Sequence, residues 1–196
     1  MDIKVISSHY NENLNWINFI KYPTVVYSKT LVDKNFIPFN KVQEAPAYLK
    51  YIIDNYFNLT DYTIFVHGHL YSEHQLNKSI IEIINNLEFN SDIINLNRPD
   101  WIGSIEKGQD EWDKKYNWLS DNWNDLFGNY LELPEKMTFY SCAQFAIHKN
   151  NILQHPIEFW IKLYNWCEST TLDNYISSRI FEYCWYYIFS KKPLFL

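Results

Sequence analysis

The stretch YTIFVHGHLYSEH (62–74) places three of the chain's six histidines within eight residues, with Glu73 beside the last of them. Side chains alternate along extended backbone, so His67 and His69 fall on one side of a strand end. Gly68 between them removes bulk and lets backbone approach closely. Two imidazoles on one face, with Glu73 and His74 nearby, have the donor types that bind a divalent cation. The competing reading is structural: His67 hydrogen-bonded at a strand end, and His74 exposed in the first turn of a helix. A second candidate is Glu182, in the almost wholly apolar run RIFEYCWYYIF (179–189). A carboxylate there needs a partner or has a raised pKa, which suits a general base. Arg179, three residues earlier on the same helix, is the partner that would make it structural.

These residues need a scaffold. IKVISS (3–8), TVVYSK (24–29) and YTIFVH (62–67) read as apolar or β-branched strands. LNWINFI (14–20) and EAPAYLKYIIDNYF (44–57) have helical spacing, with Pro46 suited to a first helical turn. Ser72 and Gln75 have the spacing of a capping box for a helix running to about residue 87. Strand–helix alternation of this kind predicts a mostly parallel sheet flanked by helices. Further on, 91–108 reads as an irregular loop. A helix is expected over 109–128, with Trp112, Tyr116, Trp123 and Phe127 on its apolar side and Gly128 closing it. A strand is expected over 137–148, then helices over 156–169 and 173–190. The reading is one α/β domain over 1–196, with an aromatic-rich helical C-terminal half.

Ligands of an open parallel sheet bind beyond the carboxyl ends of its strands. The first end supplies SHYNEN (8–13), where Asn11 and Glu12 suit a base or ribose contact and Asn11 also suits a helix cap. The second supplies Lys29, which could face a phosphate. The third supplies HGHLYSEH.

Composition narrows the function classes. A 47% hydrophobic, 19% aromatic chain belongs with folded domains rather than disordered ones. A net charge of −6 and the absence of a basic run argue against nucleic acid. No run approaches the ~20 apolar residues of a membrane span. The polar opening MDIKVISS does not read as a signal peptide, which places the expectation in the cytoplasm. Cys142, Cys167 and Cys184 sit in hydrophobic segments and read as buried reduced thiols.

Several segments together resemble a family of uncharacterised proteins related to the GT-A glycosyltransferases. They are HYNENLNWI (9–17), VVYSK (25–29), NKVQEAPAYLKYIIDNYFNLTDYTIFVHGH (40–69), SCAQFAIHKNNILQHPIEFW (141–160) and FEYCWYYIF (181–189). The resemblance implies a GT-A-like fold that moves a sugar from a nucleotide-sugar donor to a hydroxyl or glycan acceptor. It implies that Tyr10, Asn11, Glu12 and Lys29 face the nucleotide, with Glu44 supporting that pocket. His67 and His69, with His74, then stand at the diphosphate or at a Mn or Mg ion. Glu182 is the candidate base, with Asp100 in the 91–108 loop as competitor. The chain departs from the family's pattern at Val42–Gln43, where the family has Gly-Arg, and at His67, where it has Gln. It also carries HGH where a GT-A enzyme has an Asp-x-Asp metal motif. Two other readings stand beside this one. One is a metal-dependent hydrolase built on His67, His69 and His74; the other is a glycan-binding module without transfer chemistry.

Overall fold

The computed structural model describes residues 1–109 and 115–192. Its strands are β1 (Ile3–His9), β2 (Thr24–Ser28), β3 (Tyr62–His67), β4 (Ile93–Asn95), β5 (Ile102–Glu106), β6 (Lys136–Tyr140) and β7 (Phe145–His148). Five form one sheet in the order β2-β1-β3-β7-β4. β1 pairs in parallel with both β2 and β3, whereas β7 runs antiparallel to β3 and to β4. The sheet is therefore mixed, with β7 as the reversed strand. β1 and β3 are apolar runs rather than alternating ones because both of their faces are covered: Val5, Ile6, Ile64, Phe65 and Val66 are fully buried. β5 and β6 form a separate antiparallel pair.

The helices are α1 (Ala45–Asn55), α2 (Ile80–Asn85), α3 (Tyr116–Ser120), α4 (Trp123–Leu126), α5 (Lys149–Leu153), α6 (Ile157–Ser169) and α7 (Asn174–Ser190). α1 begins with Pro46 in its first turn, where the missing N–H costs nothing. It packs on β1, β2 and α6, and α7 packs on β6. Tyr48 of α1 ties these layers together. Its ring centroid lies 4.9 Å from Phe65, 5.9 Å from Phe145 and 5.9 Å from Trp185, and its hydroxyl donates to the Ala143 carbonyl at 2.9 Å. The aromatic residues of the C-terminal half are thus core. Cys142, Cys167 and Cys184 are free thiols, the last two buried.

Several sequence expectations are corrected. Residues 15–19 form a 3-10 helix rather than an α-helix. Ser72 does not open a helix to 87. Only a 3-10 turn follows at 73–75, and the chain then turns through left-handed backbone at Leu76 and Asn77 (φ 51° and 61°). The capping box is seven residues on: the Ser79 hydroxyl accepts from the Glu82 N–H at 3.2 Å, and the Glu82 carboxylate accepts from the Ser79 N–H at 2.8 Å. Both serines match the sequence pattern, and only packing selects between them. The 91–108 segment carries β4 and β5 instead of being irregular throughout. The strand expected over 137–148 is two strands in different sheets. They are separated at Cys142, whose left-handed φ of 66° turns the chain from β6 into β7. Of the helix expected over 109–128, the described part is two short helices, α3 and α4. Trp123 and Phe127 are in ring contact at 4.4 Å, and Gly128 is left-handed as a closing residue should be. Trp112 lies outside the described residues.

Candidate functional site

The carboxyl ends of β1, β2 and β3 open into one cleft of about 350 Å³. Its walls carry Tyr10 and Glu12 from the first strand end, Lys29 from the second, and His67, Gly68 and His69 from the third. Glu44 reaches it from the turn entering α1, and Asn174 from the start of α7. Six of the residues singled out for ligand contact therefore meet in one place: Tyr10, Glu12, Lys29, Glu44, His67 and His69.

Gly68 explains how Glu12 fits. A Cβ built on Gly68 would lie 2.8 Å from the Glu12 carboxylate, so only glycine leaves room for that side chain. The Gly68 carbonyl in turn accepts from the buried Trp16 indole N–H at 2.9 Å, which locks the turn to the 3-10 helix below it. Glu12 folds back on its own loop, accepting from the Tyr10 N–H at 2.7 Å and the Asn11 N–H at 3.1 Å. Burial raises the Glu12 pKa, but the backbone N–H groups of Tyr10 and of Glu12 itself, with the nearby His69 and His9, outweigh it and hold it below the ordinary value. His69 Nε2 lies 3.9 Å from the same carboxylate.

Glu44 is the opposite case. Its side chain is only 12% exposed, and burial together with the charge of Glu182 pushes its pKa up to about 7, against the pull of Lys29 and Arg179. Beside it, burial and the neighbouring His74 and His69 push His67 down to about 3, so His67 is a neutral imidazole. His67 Nε2 is buried with no hydrogen-bond partner among the described residues and sits 3.9 Å from Glu44 Oε2. Among the described residues, Lys29 is the one lysine or arginine on the walls. Burial lowers its pKa although Glu44 pulls the other way, and its ammonium donates to Asn40 Oδ1 at 3.2 Å and to the Gln43 carbonyl.

Four named candidates lie elsewhere. Asn11 is exposed, is not on the cleft wall, and caps no helix with its side chain. His74 is buried behind His67, with ring centroids 5.4 Å apart and its Nε2 2.8 Å from Ser72 Oγ, rather than exposed on a helix. Asp100 is exposed and forms an ion pair with Arg98 at 3.0 Å. Glu182 pairs with Arg179 and accepts the Cys142 N–H at 3.2 Å, so its partner is the helix arginine. Among the described residues, no group of three or more His, Cys, Asp or Glu side chains is placed to hold a metal ion. The HGH cluster does not fit a preformed divalent-cation site.

Sequence reading missed His9, Asn40, Gln43 and Asn174. His9 is buried and joins two strand ends through Ser28 Oγ at 2.8 Å. Val42 and Gln43 are both left-handed (φ 56° and 44°), strain that brings the Gln43 carbonyl to Lys29. The Gly-Arg expected at 42–43 was the available signal, since a glycine there marks such backbone. Gln144, fully buried, was also missed: its side chain accepts the His67 N–H at 3.1 Å and donates to Asn97 Oδ1 at 3.2 Å.

The family model described as "Protein of unknown function (DUF3431)" matches residues 4–195. The chain belongs to that family. The match begins one residue into β1 and spans the other strands, the cleft and α7. No curated protein and no solved structure matches. No helix among the described residues is long and apolar enough to cross a membrane.

Proposed function

We propose that the cleft binds a nucleotide-sugar donor and that the chain transfers its sugar to a hydroxyl acceptor, with Glu44 rather than Glu182 or Asp100 as the base. The observation that carries this reading is the placement of a carboxyl with a pKa of about 7 at the meeting point of three parallel strand ends. A base is most effective when its pKa lies near the working pH. Carboxyl strand ends are where open α/β sheets bind ligands. Tyr10, 45% exposed on the rim, offers a ring face for a base or sugar. Lys29 offers a cation to a diphosphate, given up by Asn40 and Gln43 on binding.

In the step itself, the Glu44 carboxylate takes the proton from the acceptor hydroxyl. The acceptor oxygen bonds to the anomeric carbon as the bond from that carbon to the diphosphate breaks. The nucleoside diphosphate leaves with the electron pair. The neutral His67 adds no charge next to Glu44 and so leaves its pKa near neutrality. The transferase assignment rests on sequence resemblance and site placement, an argument by analogy that binding can test.

The test is a thermal-shift panel of uridine and guanosine diphosphates and their sugars, with and without Mn²⁺. Stabilisation that is lost in Lys29→Ala is the expected result. No stabilisation by any nucleotide sinks the donor reading.

A further inference from the structure

A second pocket, of about 200 Å³, lies between the β5–β6 pair and α7. Trp101, Tyr183, Ser141, Cys142, Arg179 and Glu182 are on its walls. Two features define what it can hold. Its charges cancel: Arg179 and Glu182 pair with each other, and each Glu182 oxygen already has one donor, from Arg179 and from the Cys142 N–H. Its remaining hydrogen bonding comes from that same pair and from Ser141, and includes both donors and acceptors. Arg179 Nε is buried with no partner among the described residues, and the half-buried Ser141 stands on the wall. The Glu182 carboxylate retains acceptor capacity, since an ionised carboxyl has about four lone-pair sites. Trp101 is half-buried, with the Arg98 guanidinium 5.1 Å from its ring, and adds an aromatic surface.

An ion-paired floor disfavours a charged ligand, which would leave one charge of the pair uncompensated. An aromatic wall with separated donors and acceptors suits a ring that has C–H faces and hydroxyl edges. The volume is below the ~300–1,000 Å³ of pockets for drug-sized ligands, so it suits one ring rather than a chain. The pocket is also electrostatically joined to the cleft, because the charges of Glu182 and Arg179 both act on Glu44. Tyr175, next to the cleft residue Asn174, has its ring 5.0 Å from the Arg179 guanidinium.

We infer that this pocket binds a neutral monosaccharide ring, the terminal sugar of a glycan acceptor, stacked on Trp101 and held by Ser141, Arg179 and Glu182. Its role as the acceptor subsite rests on the transfer reading given above; its affinity for a sugar does not. Arg179 and Glu182 are here binding residues, and Glu44 remains the base.

The experiment titrates the full chain with glucose, galactose and mannose, and with glucuronate as the charged control, read by ligand-observed NMR and tryptophan fluorescence. A neutral sugar is expected to bind. Trp101→Ala weakens that binding about tenfold, on the scale of an aromatic contact, and Trp101→Phe restores part of it. Tight binding of glucuronate, no binding of any neutral sugar, or a Trp101→Ala variant that binds as well as the parent overturns the inference. Neutral-sugar binding that depends on Trp101, without stabilisation by any nucleotide, upholds the subsite and removes the donor reading.

Discussion

Glu44 Oε2 lies 3.9 Å from His67 Nε2, and burial drives both groups toward their neutral forms, Glu44 up to about 7 and His67 down to about 3. A carboxyl and an imidazole this close usually form a charged pair. Here desolvation prevails over mutual attraction, and the cleft keeps a carboxyl that titrates near neutrality.

Replacing Glu44 separates its chemical role from its cost. Its folded pKa is raised, so its contribution to stability is complete below pH 4.5 and is lost as pH rises through 7. Glu44→Gln should therefore be more stable than the parent at pH 8, by about 2–3 kcal/mol, and equal to it near pH 4.5. Urea unfolding at the two pH values measures this. The same variant should keep nucleotide binding and lose transfer.

Acid should destabilise the fold through its histidines. His67, His74 and His155 are pushed down to about 3, 4 and 4, burial being the first cause in each. A depressed base adds stability above its unfolded value of 6.5 and loses it as pH falls toward the folded value. Between pH 7 and 5 each withdraws about 2 kcal/mol, while Glu44 returns about 2 kcal/mol. The net loss is expected as a fall of unfolding midpoint from pH 7 to 5. His155→Phe, next to the stacked Phe159 ring at 4.1 Å, should flatten that slope.

Gly68→Ala should expel Glu12 from its seat, because the new Cβ would lie 2.8 Å from its carboxylate. The Tyr10 and Asn11 amides would lose their acceptor, a cost of about 0.5–1.5 kcal/mol because both lie in an exposed loop where water can replace it. The double variant Gly68→Ala, Glu12→Ser should recover the steric part. A double-mutant cycle by thermal unfolding reads the coupling, and strict additivity would refute the contact.

Gln144→Leu should cost about 1–3 kcal/mol, since it orphans the His67 N–H and Asn97 Oδ1 inside the protein. It should also disturb the cleft although it does not line it. A shift of the His67 ring resonances without a change in fold by circular dichroism is the expected signature.

Local pattern made much of this protein legible. The apolar or β-branched runs at 3–8, 24–29 and 62–67 read as strands and are strands, and the periodic segments at 44–57, 156–169 and 173–190 gave helices with ends close to those observed. Their alternation also located the edge on which the cleft opens, because parallel strands joined by crossovers bring their carboxyl ends to one side. What stayed illegible was set by contacts distant in sequence. Ser72 and Ser79 both carry a capping pattern, and packing chose the second. MTFYSCAQFAIH alternates like one strand, yet a left-handed Cys142 divides it between two sheets. The raised pKa of Glu44 and the neutrality of His67 likewise depend on burial and, for Glu44, on a neighbour 138 residues away in the chain, Glu182, whereas the pairing of Glu182 with Arg179 was legible from their spacing. Sequence alone determined which residues stand at the strand ends, since period and polarity are local. Tertiary structure alone decided which of them carries a proton, since desolvation is a property of the packed surroundings.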